Sequence, residues 1–250
     1  MHSIKKEQDI AHWASDSIMV YHKKQFTEPN RSTVAMEKFL ADQTDIKGNV
    51  LDLACGGGAV AAYFAKLHPE VNIKGIDIVD KSFWMFEEFA DDDIKKRVSL
   101  ETGDLYNLNR KYVNATDGVI MTHTLVVLED WRVALEKIIE LNPKWIGLSS
   151  LFYEGRIELQ VKVMDYERRD EIWDHVEQYY NVYSLPIVKE FLQERGYSVF
   201  EYMPFEIDID LPKPDHRDMG TYTVKTEDGR RLQISGPMLM PWYFVYAAKN

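Results

Sequence analysis

The segment "NVLDLACGGGAVAAYFAKLHP", from Asn49 to Pro69, constrains the fold more than any other part of the sequence. It begins with a short β-rich apolar run, continues through three consecutive glycines and ends in helix-forming residues before Pro69. This order predicts a strand, a tight turn and a helix. Glycines at such a turn let a ligand approach the backbone closely, next to the N–H groups at the start of the helix.

The alternation of strand and helix repeats along the chain. Strands are predicted in "VNIKGIDI", "VSLETGDL", "TDGVIMTHTL" and "KWIGLSSLF", and helices in "DKSFWMFEEFADDDIKKR" and "EDWRVALEKIIELN". Near the end, "PIVKEFLQERGYSVFEYMPF" predicts a helix and a strand, and "PWYFVYAAKN" predicts a final strand. Apolar strands that alternate with helices indicate a doubly wound α/β fold, with a largely parallel sheet covered on both faces.

Three segments fall outside this alternation. Residues 1–48 predict an N-terminal helical cap, and two insertions, 153–185 and 206–240, interrupt the second half of the chain. The second insertion contains "TYTVKTEDGRRLQIS", which is typical of a hairpin that turns at Asp228-Gly229. Both insertions carry too much β pattern and aromatic content for disorder. We therefore expect residues 49–250 to form one domain, in which the insertions make a β-rich lid over the substrate.

Composition narrows the range of partners. A formal net charge of -11 disfavours binding to the phosphate backbone of a nucleic acid. The sequence has no apolar run of signal-peptide length or of the roughly 20 residues that a membrane span needs, so we expect a cytoplasmic protein without membrane contact. Cys55 is the only cysteine, which excludes an intramolecular disulfide and a cysteine-based metal cluster. No spacing of histidines and carboxylates predicts a metal site.

The glycine turn is compatible with two kinds of nucleotide cofactor. The dinucleotide fingerprint G-x-G-x-x-G/A is matched by Gly56, Gly58 and Ala61, and Asp77 would be its ribose acid. That match predicts an NAD(P)-dependent oxidoreductase. Binding of a dinucleotide does not require Asp52. A carboxylate inside the first strand, four residues before the glycines, instead favours a cationic ligand.

A further carboxylate and the end of the chain favour the second kind of cofactor. Asp104 in "ETGDL" follows the third strand, within reach of an adenine amino group. With the terminal helix-strand-strand pattern, the sequence resembles the class I S-adenosylmethionine-dependent methyltransferases, whose Rossmann-like sheet of seven strands ends with an inserted antiparallel strand. "LDLACGGG" is similar to the first motif of this family, D/E-x-G-x-G-x-G, with Ala54 in place of the first glycine.

The resemblance implies S-adenosylmethionine as the cofactor, with contacts from ten positions. It implies that Asp77 accepts both ribose hydroxyls, that Asp104 lies near the adenine N6, and that the end of the fourth strand lies beside the sulfonium. The implied cofactor-binding residues are Asp52, Ala54, Gly56, Gly58, Asp77, Ile78, Asp104, Leu105, Met121 and Thr122.

His123 is the candidate catalytic residue. It follows the fourth strand directly, where the resemblance implies the transferred methyl group. In-line methyl transfer needs no metal, but a hydroxyl acceptor must lose its proton, and a histidine base suits that step. The alternative is that His123 is a hydrogen-bonded wall residue that orients the turn.

These observations predict a methyltransferase that acts on a small polar metabolite by O-methylation, with a sugar or a biosynthetic intermediate as acceptor. A small-molecule N-methyltransferase is the runner-up. Two other classes remain open: an NAD(P)-dependent oxidoreductase and a non-catalytic cofactor-binding protein. The expected partners are a small-molecule substrate, no nucleic acid and no membrane, and a homodimer is compatible with the sequence.

Overall fold

The computed structural model describes residues 16–166, 175–214 and 219–250. Parts of the predicted cap and of both insertions, at 1–15, 167–174 and 215–218, lie outside the described residues. The described α-helices, numbered in chain order, are α1 (Asp16–Thr27), α2 (Arg31–Gln43), α3 (Ala59–Leu67), α4 (Phe83–Phe89), α5 (Asp92–Lys95), α6 (Trp131–Glu140) and α7 (Leu185–Gln193). Short 3-10 helices are formed by Leu105–Asn107, Arg110–Tyr112 and Leu125–Val127.

The strands divide into one large sheet and smaller sheets in the insertions. The strands are β1 (Gly48–Leu53), β2 (Val71–Asp77), β3 (Val98–Thr102), β4 (Gly118–Thr122), β5 (Trp145–Ser150), β6 (Phe152–Tyr153), β7 (Lys162–Asp165), β8 (Val176–Tyr179), β9 (Tyr183–Ser184), β10 (Val199–Phe205), β11 (Thr221–Lys225), β12 (Arg231–Ser235), β13 (Met238–Leu239) and β14 (Trp242–Ala248).

The large sheet has seven strands in the order β10-β14-β5-β4-β1-β2-β3. The five strands from β5 to β3 pair in parallel, whereas β14 lies antiparallel between β5 and β10. This arrangement confirms the predicted seven-stranded α/β sheet with an antiparallel last strand. Strand β1 has β2 on one side and β4 on the other, so the strand order reverses there, and a ligand crevice is expected at the carboxyl ends of these strands.

Helices cover both faces of the sheet, and the side chains of β1 alternate between them. Leu51 and Leu53 pack in the cluster under α6 and α7, and Val50 packs in the cluster under α2 and α3. Burying each such side chain contributes about 1.5–3 kcal/mol. Because successive strand residues point to opposite faces, Asp52 lies on the face of Val50.

One predicted element differs in the structure. The segment "DKSFWMFEEFADDDIKKR" is two short helices, α4 and α5, and not one helix. Ala90 and Asp91 between them are extended, with ψ of 142° and 145°. Three consecutive aspartates repel each other and are poor helix formers, which accounts for a new helix start at Asp92.

The two insertions pack together beside the carboxyl ends of β4 and β5. Strands β7 and β8 form one hairpin, and β11 to β13 form a three-stranded antiparallel sheet with the predicted turn at Asp228-Gly229. Tyr180 of the first insertion packs in one cluster with Val126 after β4 and Trp242 after the second insertion. No helix in the described ranges has the length and apolar character needed to cross a membrane.

Candidate functional site

The loop from β1 to α3 is a compact turn with three left-handed residues. Ala54, Gly56 and Gly58 have φ values of 57°, 53° and 83°. The backbone N–H groups of Ala54 and Cys55 donate to the carbonyl of Ile76 in β2, over 2.7 and 3.2 Å. A left-handed conformation costs a residue with a side chain about 1–2 kcal/mol. Ala54 therefore carries strain at the position where the motif it resembles has glycine.

Asp77 ties this loop to the end of β2. Its Oδ2 accepts a hydrogen bond from the N–H of Gly56 at 2.7 Å, and its Oδ1 accepts one from the N–H of Val79 at 2.9 Å. Burial raises the pKa of Asp77, although these hydrogen bonds oppose the rise. The carboxylate thus orders the loop at the point where the sequence predicts ribose recognition.

Asp52 is buried behind the loop without a partner. The residue is 1% exposed, and neither side-chain oxygen has a hydrogen-bond partner among the described residues. Burial, with a further contribution from the charge of Asp77, raises the pKa of Asp52 to about 8, although the backbone N–H of Ala61 opposes the rise. An unpaired buried carboxylate is costly, and a cationic group brought beside it would remove that cost.

The chemistry of this cradle fits S-adenosylmethionine better than a dinucleotide. The cofactor carries an ammonium and a sulfonium, so Asp52 offers it a charge partner, whereas a pyrophosphate would be repelled. The acidic chain, with a net charge of -11, acts in the same direction.

The predicted adenine residues follow β2 and β3 at the same edge of the sheet. Ile78 and Leu105 are half-buried. Asp104 begins a 3-10 turn, where its Oδ1 accepts a hydrogen bond from the N–H of Tyr106 at 2.9 Å. The structure therefore brings these three residues to the edge that carries the glycine loop.

Two predicted cofactor residues at the end of β4, Met121 and Thr122, have side chains on opposite faces of the sheet. Met121 is fully buried in the cluster under α6 and α7, so only its backbone can border the crevice. Thr122 is half-buried and lies on the same face as Asp52.

His123 has an unusual backbone and a neutral ring. Its φ is 56°, and its N–H donates to the carbonyl of Ser149 at 3.0 Å. The ring packs edge-on against Trp242, with centroids 4.7 Å apart. Burial lowers the pKa of His123 to about 4. A strained backbone at the end of a crevice strand is typical of functional positions.

The last two residues of β5 carry hydroxyls that have no hydrogen-bond partner among the described residues. Ser149 and Ser150 end β5 and are 1% and 0% exposed, and neither Oγ makes a hydrogen bond to a described residue. Ser149 pairs with Thr122 of β4 in the sheet register, so it faces the same side as Asp52. Buried hydroxyls of this kind need a hydrogen-bond partner, such as a ligand.

Several residues of the site were not predicted from the sequence. Ser149 and Trp242 carry no local signal, because their role depends on pairing between distant strands. His22 of α1 lies over Gly56, and here a signal existed: His22 and Phe26 are four residues apart, so both face the same surface. Among the described residues no group of three or more histidines, cysteines or carboxylates could hold a metal ion.

Comparisons with known proteins agree with this geometry. Residues 50–142 match the family model of a methyltransferase domain. A search of curated proteins finds no match to this sequence. The chain is similar to a structure described as a complex between the Haloferax volcanii Trm112 methyltransferase activator and a methyltransferase, with 16% identity and a TM-score of 0.59. The similarity covers 96% of this chain and 97% of that one.

Two further solved structures resemble the chain at similar levels. Magnesium protoporphyrin IX methyltransferase from Synechocystis PCC 6803, with bound S-adenosylmethionine, has 13% identity and a TM-score of 0.58 over 98% of this chain and 97% of that one. The Burkholderia thailandensis 1,6-didemethyltoxoflavin-N1-methyltransferase has 15% identity and a TM-score of 0.54 over 96% and 88%.

The seven-stranded sheet and the glycine loop define a Rossmann-like domain with a candidate cofactor cradle. Residues 50–142 thus match the methyltransferase-domain family, and the fold that contains them is the one shared by the solved methyltransferases.

Proposed function

We propose that this enzyme transfers the methyl group of S-adenosylmethionine to an oxygen atom of a small polar metabolite. The acceptor lies between the end of β4 and the two insertions. The observation that carries this proposal is the neutral His123 at the carboxyl edge of the sheet, whose N–H donates to the backbone carbonyl of Ser149, a residue whose hydroxyl has no partner among the described residues.

The cofactor residues act by binding and orientation. Asp52 takes the ammonium group, Asp77 accepts the ribose hydroxyls, and Ile78 and Leu105 flank the adenine. When bound, S-adenosylmethionine supplies an electrophilic methyl group on its sulfonium. A cofactor held in this way would present its methyl group near the end of β4. Holding two reactants in line can contribute about 7–11 kcal/mol to a reaction of this kind.

The insertions favour a small acceptor over a macromolecule. Asn181 in the first insertion is fully buried, and its Nδ2 donates to the carbonyl of Leu128 at 2.8 Å. Its Oδ1 accepts from the N–H of Val161 at 2.9 Å. Tyr179 donates to Glu129 at 3.0 Å. The insertion is thereby fastened to the segment that follows His123, and an acceptor bound beneath it would be small.

A neutral, weakly basic His123 is compatible with a hydroxyl acceptor and not with a protonated amine. An alkylated hydroxyl becomes strongly acidic as the new bond forms, so a weak base that is unprotonated at neutral pH can accept its proton. A basic amine must instead lose its proton before attack, and a base with a pKa of about 4 cannot remove it.

A nitrogen acceptor is the second candidate. The neutral imidazole of His123 is compatible with it when the acceptor nitrogen is weakly basic. A weakly basic ring nitrogen has a free lone pair at neutral pH and requires no base before attack. The pH dependence of turnover distinguishes a basic amine from these other acceptors. Only with a basic amine should the rate of methylation fall between pH 9 and pH 7, because the amine becomes protonated.

The test is a screen for S-adenosylhomocysteine release with defined hydroxylated, amine and heteroaromatic metabolites. Once an acceptor is found, Ser149→Ala should raise its KM about tenfold, because one hydrogen bond of about 1 kcal/mol or more is lost. The dissociation constant of the cofactor should stay unchanged. Release with amines alone would contradict the proposal.

His123→Gln should lower kcat about a hundredfold or more, since general base catalysis contributes on that scale. His68→Gln is the matched control, because His68 pairs with Glu37 on the far side of α3. At saturating cofactor the wild-type kcat should not fall between pH 8 and pH 5, because the pKa of His123 lies at about 4. Near-normal turnover of His123→Gln would refute its role as the base.

A further inference from the structure

Helix α1 lies over the glycine loop. A Cβ atom built on Gly56 would lie 2.2 Å from Cε1 of His22, 2.8 Å from its Nδ1 and 2.9 Å from its Nε2. A Cβ atom on Gly57 would lie 3.4 Å from Cβ of His22 and 3.6 Å from the ring of Phe26. The open face of the loop is therefore covered by one turn of α1.

The same helix also contacts the other wall of the crevice. The rings of Phe26 and Phe89 have centroids 5.9 Å apart, and Nζ of Lys23 lies 5.4 Å from the centroid of Phe89. Phe89 ends α4, the first helix after Asp77. Helix α1 thus bridges the loop after β1 and the helix after β2, which are the two elements that flank the predicted adenosine site.

His22 is held over the loop by packing. Its imidazole is largely buried, burial lowers its pKa to about 4, and the ring is therefore neutral at pH 7. Its ring stacks in a tilted arrangement with Tyr21 at 5.6 Å between centroids. No hydrogen bond joins the imidazole to a described residue, so packing is what these residues contribute to its position.

The position of His22 conflicts with a ligand in close contact with the loop. Gly56 lacks a side chain on the face where a cofactor would approach the backbone, and the imidazole occupies that face. We propose that α1 is a gate over the cofactor cradle and that His22 is its latch: the cofactor and the imidazole compete for the same face of Gly56, so the cofactor binds only after α1 lifts. This proposal rests on the assignment of the glycine loop as the cofactor cradle.

The gate makes a kinetic prediction. If only the lifted form binds, the apparent affinity is reduced by the fraction of molecules that are open. Removal of the latch should raise that fraction. His22→Ala should associate with S-adenosylhomocysteine about tenfold faster than the wild type, and its dissociation rate should change less than twofold. The matched control is Val20→Ala on the same helix, since Val20 is 71% exposed.

The experiment is stopped-flow binding of S-adenosylhomocysteine, followed by tryptophan fluorescence, with the wild type, His22→Ala and Val20→Ala. Thermal unfolding of each variant checks that it is folded. If His22→Ala does not fold, Phe26→Leu weakens the same helix and should also associate faster. Unchanged or slower association of the latch variant would overturn the gate and make His22 a wall of the site. No binding by any of the proteins would instead overturn the cradle and the proposed function with it.

Discussion

Asp52 shows how one residue can link the fold to its ligand. The strand buries its carboxylate on the face of Val50, and among the described residues only the backbone N–H of Ala61 offsets this burial, without a well-formed hydrogen bond. Such a group lowers the stability of the free protein and strengthens the binding of a cation. Its presence is therefore a cost to folding that the cofactor offsets.

The raised pKa of Asp52 sets the direction of a pH effect on stability. The pKa is about 8 in the folded protein and 3.8 in a free side chain, so the favourable contribution is complete below pH 4 and is lost as the pH rises through 8. The free energy of unfolding of Asp52→Asn, measured relative to the wild type, should therefore be at least about 2 kcal/mol higher at pH 8 than at pH 5.

Urea unfolding without cofactor at both pH values measures this difference, and the exposed Asp92→Asn is the control. The Asp52→Asn variant should also bind S-adenosylmethionine at least about tenfold more weakly, because a charge partner is lost. An equal pH dependence in the variant and the wild type would show that Asp52 does not titrate in this range.

Ala54 offers a second test on the same loop. Its left-handed conformation strains an alanine but not a glycine, whereas glycine has the greater entropy when unfolded. The strain is the larger effect, so Ala54→Gly should raise the free energy of unfolding by about 0.5 kcal/mol. Chemical denaturation of the variant and the wild type measures this change. A clear loss of stability in Ala54→Gly would show that Ala54 is not strained.

At the scale of elements, the two insertions are joined through a glycine. Gly236 precedes β13 with a φ of 59°, and a Cβ atom there would lie 2.5 Å from the ring of Tyr180. Tyr180 belongs to the first insertion and packs against Trp242. A side chain at Gly236 would therefore separate the insertions from each other at the position where they cover the end of β4.

Gly236→Ala should destabilise the protein by about 2–3 kcal/mol, because it combines backbone strain with overpacking. Gly229→Ala is the matched control: its φ is 84°, but nothing lies within 4 Å of the added atom, so it should cost about 1–2 kcal/mol. Urea unfolding of both variants gives the difference. Equal losses would mean that the contact with Tyr180 does not join the insertions.

The elements also show what local sequence can predict. Strand β1, the glycine loop and α3 follow from residues that are neighbours in the chain, and so does the hairpin at Asp228-Gly229. The interruption between α4 and α5 at Ala90 depends on small differences in helix propensity, which the hydrophobic pattern of the sequence does not resolve. The contact of His123 with Trp242 joins residues more than a hundred positions apart, and only the assembled sheet brings them together.

The whole molecule combines an acidic chain, a glycine-rich loop after β1 and two insertions beside the carboxyl end of β4. The buried carboxylate and the net charge of -11 both favour a cationic cofactor. The match of residues 50–142 to a methyltransferase domain and the fold support the methyltransferase reading, whereas the acceptor is a proposal based on His123, Ser149 and the insertions. The central claim is therefore that the crevice between β1, β2 and β4 binds S-adenosylmethionine through Asp52.

The most direct test is calorimetric titration of the wild type and Asp52→Asn with S-adenosylmethionine, S-adenosylhomocysteine and NADH. We predict micromolar binding of both sulfur compounds to the wild type, at least about tenfold weaker binding to the variant, and no binding of NADH. Binding of NADH alone would contradict this account, because the glycines would then hold a pyrophosphate.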